Sequence, residues 1–113
     1  MKNHTHNNIR VRLYHADYPA VICRAAYVGL LGIQLDSGRL RYPLGTQLEI
    51  ELHIDDDTDS YTCRVPAVVT HLGLADMGLS FLQHDMVTNA KLLTIIATAQ
   101  RQAPARQARA TAS

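Results

Sequence analysis

The sequence predicts a mainly β fold, a six-stranded antiparallel barrel with one C-terminal α-helix, on three observations. Apolar residues alternate with polar ones along most of the chain up to Phe81, clusters of turn residues cut that alternation into short segments, and the apolar spacing becomes helical after Asp85. Closure is expected because it removes the unpaired edges that a small antiparallel sheet would otherwise expose.

Ile9, Val11 and Leu13 alternate with Arg10, Arg12 and Tyr14, which is a first strand with one buried face. "AVICRAAY", Ala20 to Tyr27, follows as a second and more continuously apolar strand. Leu31, Ile33 and Leu35 are expected on one face of a third, ended by the turn residues Asp36, Ser37, Gly38, Pro43 and Gly45. In the fourth, Leu48, Ile50, Leu52 and Ile54 oppose Gln47, Glu49, Glu51 and His53, the pattern of an antiparallel strand with one wet side.

After the acidic "DDDTDS", the segment "YTCRVPAVVTHL" resumes the alternation as a long fifth strand. It contains Pro66, which cannot donate a ladder hydrogen bond, so an edge or a bulge is expected there. "LADMGLSFL" supplies the sixth, with Met77, Leu79 and Phe81 on one face. Leu92, Ile95, Ile96 and Ala99 then recur at helical spacing, with Asp85 or Thr88 to cap the helix start. The expected boundaries are a flexible N-terminus over residues 1–8, the barrel and helix over 9–100, and a disordered tail over 101–113, where "RQAPARQARATAS" has no apolar stripe.

At 113 residues the chain can bury one modest core, so a second domain is not expected. With five Tyr, one Phe, no Trp and a net charge of +1, it lacks the stacking faces and basic excess of a nucleic-acid binder. "MKNHTHNNIR" has no apolar signal core, and no apolar run approaches the ~20 residues that cross a bilayer, so a cytoplasmic protein without membrane insertion is expected. Cys23 and Cys63 lie far apart without C-x-x-C spacing and read as reduced, buried thiols.

"AYVGLLGIQL" places Gly29 and Gly32 three apart in an apolar run, marking a tight corner between the second and third strands or a close approach of another backbone. From about Tyr18 to Leu93 the order "YVGLLGIQL", "YPLGTQLEIELHI", "VPAVVTHL" and "MGLSFL" resembles a PilZ domain, the bacterial module associated with cyclic di-GMP signalling. That resemblance implies the same barrel and helix. It also implies a ligand motif of an acidic or amide residue, a serine two further on and a glycine three after that; here those places hold Tyr27, Gly29 and Gly32, so the glycine alone is kept.

The family's second ligand element is a pair of arginines separated by three residues near the N-terminus. Here Arg10 and Arg12 are separated by one, and Ala16 stands where a partner of Arg12 would be needed. Arginine suits that role because its planar fork pairs with phosphate oxygens and lies flat on a ring. Two residues apart on a strand, Arg10 and Arg12 share a face, which is also what any half-exposed strand shows. With both elements degenerate, the resemblance points to the PilZ subset that acts through protein partners, like the small stand-alone proteins of type IV pilus assembly, whose "RY-x-LG" is similar to "RLRYPLG" here.

Other constellations carry less. Asp55, Asp57 and Asp59 open like an EF-hand loop, but Ser60 stands where glycine is required and Pro66 where the bidentate Glu belongs, so a solvated hairpin turn is expected. His15, His53, His71 and His84 are scattered and His4 and His6 lie in a polar start, so no metal site is expected. A Cys23 or Cys63 pair with His71 has no orienting residue beside it, so no catalytic residue is named and no cofactor is expected. Arg101, Arg106 and Arg109 read as a solvated tail, whereas surplus apolar residues among Leu92, Leu93, Ile95 and Ile96 would bury against a second copy or a partner.

The functional expectation is a non-enzymatic PilZ-like adaptor or regulator acting through a protein partner or a homo-oligomer, with weak or no dinucleotide binding. The alternative is a genuine cyclic di-GMP receptor with an atypical site drawn from Arg10, Arg12, Arg24, Tyr27, Gly29 and Gly32.

Overall fold

The computed structural model describes residues 8–16 and 18–102. They form β1 (Arg10–Tyr14), β2 (Val21–Val28), β3 (Gly32–Asp36), β4 (Gln47–Asp55), β5 (Ser60–Leu72), β6 (Asp76–Phe81) and α1 (Met86–Gln102). All pairings are antiparallel, and because β1 pairs with both β2 and β4 the order β1-β2-β3-β6-β5-β4 closes on itself. The expected six-stranded barrel with one C-terminal helix is what the chain forms.

The period-two residues fill it. Ile9, Val11 and Leu13, then Leu48, Ile50, Leu52 and Ile54, then Val65, Ala67 and Val69 all point inward and are buried. Each large side chain so buried contributes about 1.5–3 kcal/mol. The loop after β3 folds Leu40 and Tyr42 against this core, and its Gly38 and Gly45 take φ values of +60° and +87°, which L side chains rarely adopt.

Helix α1 packs on β5 and β4 through Leu92, Ile95 and Ala99. Buried Thr98 is satisfied by donating its hydroxyl to the Thr94 carbonyl at 2.8 Å. Of the two capping candidates Asp85 serves: the Thr88 amide donates to Asp85 Oδ1 at 2.8 Å, and that bond holds the Asp85 carboxyl below its ordinary pKa. The cap's contribution is therefore present above the ordinary carboxylate pKa and is lost as pH falls through the lowered one.

The helix runs to Gln102, two residues beyond the expected boundary at residue 100, and its end is tied down. Gln102 Nε2 donates to the Asp55 carbonyl at 2.8 Å and Asn8 Nδ2 donates to Gln102 Oε1 at 3.1 Å, so Asn8 shares in the packed unit. His4, His6, Arg106, Arg109 and the remainder of the terminal segments lie outside the described residues.

Two local expectations change. Leu31 does not join Ile33 and Leu35 on the inner face but is 85% exposed, because β3 begins at Gly32 and the chain is still turning at Leu31. Pro66 carries no bulge: it pairs with Glu49 in the β4 ladder and stands where the β6 pairing ends, one residue before Ala67, its carbonyl accepting from the Leu82 amide at 2.9 Å with no N–H to give in return. The bulge in β5 falls instead between Val69 and His71. "DDDTD" is a hairpin turn, with the Asp56 amide donating to the Asp59 carbonyl at 2.7 Å.

Candidate functional site

The chain between β2 and β3 reverses at Gly29–Gly32, where the Gly29 amide donates to the Gly32 carbonyl at 2.9 Å. The two glycines serve different ends. A Cβ at Gly32 would stand 2.4 Å from the Leu79 carbonyl oxygen, so the β6 backbone passes where a side chain would be. A Cβ at Gly29 would meet only the phenol of Tyr27, 3.1 Å from its oxygen.

Outside the barrel, this turn walls an open cleft of about 760 Å³ that continues over β3, β6 and β5. Gly29, Gly32 and Gly78 line it, and a Cβ at Gly78 would meet the His71 Cβ at 3.1 Å. Exposed Tyr27, Leu30, Leu31 and His71 supply the walls, with the Thr70 and Ser80 hydroxyls, 3.3 Å apart, as polar points. No Lys, Arg, Asp or Glu is among the lining residues. The cleft therefore offers apolar and ring surface, the hydroxyls of Tyr27, Thr70 and Ser80, the Gln34 carboxamide and one imidazole, and no Lys or Arg to pair with an anion.

The arginines stand elsewhere. Arg10 and Arg12 project from the outer face of β1 into a shallow depression of about 290 Å³ shared with Ile22, Glu51, His53 and Thr62. Carboxylates of β4 occupy both: Arg10 reaches Asp55 at 3.1 Å and Arg12 approaches Glu51 at 3.8 Å. His53 is held between the Thr62 hydroxyl and Asp55, each at 2.9 Å. Beside them Arg64 pairs with Glu49 at 2.7 Å and lies over the Tyr14 ring at 4.1 Å. Arg24 sits directly across the ladder from Arg10 and makes no ion pair among the described residues. Ala16 follows β1 in an exposed turn with φ of 54°.

Of the six residues named from sequence, the fold thus gathers Arg10, Arg12 and Arg24 on one face and Tyr27, Gly29 and Gly32 at one turn, without joining the groups. Sequence reasoning did not find His71, Thr70, Gly78 and Ser80 as cleft residues. The only signal for them was Gly78 in "MGLSF"; placing it opposite Gln34 requires the β3–β6 register, which pairs strands distant in sequence.

The thiols are not poised for chemistry. Burial pushes the Cys23 thiol up to about 11, with Asp36 adding to the shift, and burial likewise raises Cys63. Cys63 points into the core while His71 is exposed on the outer surface, so they form no pair. Among the described residues no group of three or more His, Cys, Asp or Glu could hold a metal ion, and no helix is long and apolar enough to cross a membrane.

This is a small closed β-barrel with an apolar cleft on its outer wall at the β2–β3 turn, flanked by one helix. Its architecture is PilZ-like: the chain superimposes on the PilZ domain of CeSA from a cellulose-synthesizing bacterium with a TM-score of 0.58 and 12% sequence identity, over 79% of this chain and 89% of that one. No family model and no curated protein matches the sequence.

Proposed function

We propose that this chain is a non-enzymatic adaptor or regulator of cytoplasmic, cyclic di-GMP-linked bacterial signalling in motility, pilus or biofilm control. It acts by recognising a protein partner, with weak or no dinucleotide binding. The fold likeness and the resemblance in motif order support the signalling context. The observation that carries the reading is the cleft: where the family's ligand motif would lie, the lining residues include no cation, and Tyr27 and Gly29 replace the acidic and serine side chains. A diphosphate ligand seated there would forgo charge-assisted bonds of roughly 1.5–3 kcal/mol each, and every 1.4 kcal/mol is about tenfold in affinity. The apolar wall formed by Leu30 and Leu31, and the "RLRYPLG" loop with exposed Leu44, suit a protein surface better.

The second reading, a receptor with an atypical site, draws on one observation: Arg24 stands between Arg10 and Asp36 on the neighbouring strands and makes no ion pair among the described residues. Isothermal titration of cyclic di-GMP at physiological salt, with Arg12→Ala and Tyr27→Ala alongside, separates the two. The adaptor reading expects no heat and no thermal shift. Micromolar binding that collapses in either variant would establish a receptor and overturn it.

A further inference from the structure

Helix α1 is apolar on two opposite faces. Toward the barrel it buries Leu92, Ile95 and Ala99. Away from it, Met86 is 87% and Leu93 45% exposed, and Ala90 and Ala97 are exposed with them. At 3.6 residues per turn these four outer residues fall within about 60° of one another, nearly opposite the buried face. A helix that ended its packing at the barrel would carry charged side chains there.

The four recur at spacings of four, three and four, the heptad rhythm of a helix–helix seam. Their sizes alternate large, small, large, small. Reversing the direction of that series gives small, large, small, large, so the stripe is complementary to itself read backwards. We infer that α1 is a self-association surface on which a second copy of this chain docks antiparallel about a two-fold axis, Met86 of each over Ala97 of the other and Leu93 over Ala90. A parallel pair would instead set large against large and leave gaps at the alanines. Both partners use the same patch, as a two-fold interface requires.

Charge agrees. The only charged side chains of α1 are Lys91 and Arg101. Lys91 projects about 130° round the helix from the stripe's centre, and Arg101, about 50° from it, lies 3.6 Å from Asp56, which offsets its charge beside the seam. Antiparallel docking also puts the positive end of each helix macrodipole beside the negative end of the other. One strip of a single helix, about 25 Å long, buries less than the ~1,200 Å² of a standard stable interface, so the dimer forms by concentration and is not obligate.

Sedimentation velocity of the whole chain from about 10 μM to about 1 mM tests it, a range suited to a weak interface. The wild type should move from monomer toward dimer across that range. Leu93→Glu and Ala90→Lys should each remain monomeric with little change in Tm, since both positions face solvent in the monomer. The double variant Ala90→Lys/Leu93→Glu should recover the dimer, because the antiparallel register sets each Lys beside the other copy's Glu. A wild type still monomeric at the highest concentration, or a dimer that Leu93→Glu and Ala90→Lys leave intact, would overturn the proposal; failure of the double variant to re-form the dimer would overturn the register.

Discussion

The cleft at the β2–β3 turn and the ion-paired face of β1 and β4 share strand β2 as a border but are built in opposite ways. The cleft is lined by residues that have no side chain, Gly29, Gly32 and Gly78, and at Gly32 the backbone of β6 passes where a methyl would stand. The ion-paired face is made by side chains that are present, Arg10, Arg12 and Arg64 against Asp55, Glu51 and Glu49, all reaching over a ladder that would be the same without them. Backbone geometry is rigid and shared by the whole closed sheet, whereas long side chains at a wet surface rearrange. The first region should therefore be sensitive to a single methyl and the second tolerant of losing whole side chains.

Gly32→Ala tests the sensitive side and should have the largest effect. Its Cβ would come within 2.4 Å of the Leu79 carbonyl oxygen, a backbone atom that moves only if β3 and β6 separate. Overpacking of this kind costs about 1–3 kcal/mol, and in a domain of this size each kcal/mol lowers Tm by roughly 4–8 °C. A drop on the order of 10 °C by circular dichroism is expected. A Tm within about 2 °C of the wild type would show that the ladder can yield there, and that the contrast between the regions is unsound.

On the tolerant side, the pair to remove is Arg64 and Glu49, the shortest of the ion pairs and the one that also stacks on Tyr14. Their side chains are 48% and 50% exposed, so solvent screens the attraction. A double-mutant cycle of Arg64→Ala and Glu49→Ala should return a coupling of about 0.2–1 kcal/mol at low salt, weakening in ~0.5 M salt. A coupling above ~2 kcal/mol that ignores salt would mean this face is as fixed as the cleft.

The same division explains what could be read from the chain before its structure. Leu48, Ile50, Leu52 and Ile54, and Ile9, Val11 and Leu13, declared their strands because period-two burial is a local property, and all seven are inside. Leu31 misled because periodicity places a residue on a face but does not say where the ladder begins; the turn at Gly29–Gly32 holds it outside. Pro66 announced an irregularity without its position, since only the strand order shows that β6 stops one residue short of it. The cleft is a product of register between β3, β6 and β5, so His71 and Ser80 had no local signal. The separation of the arginines from the turn depended on which strand each faces, and β1 turns its arginines toward the carboxylates of β4.

The smallest expected effect decides what the glycine pair means. Gly29 does not have the positive φ of Gly38 or Gly45, and a Cβ there would touch only the flexible phenol of Tyr27, which can swing away into solvent. Gly29→Ser should change stability by no more than about 0.5 kcal/mol, with the clash offset by the lower entropy of the unfolded chain. The fold thus demands Gly32 and leaves position 29 open, so a serine there, as in the ligand motif that the turn resembles, would be structurally permitted. Tyr27→Asp/Gly29→Ser rebuilds that motif in full, and titration of cyclic di-GMP into it should still give no binding, because the arginines remain on the other face. Binding in that variant would mean the arginines need not line the cleft, and would join the two regions into one site.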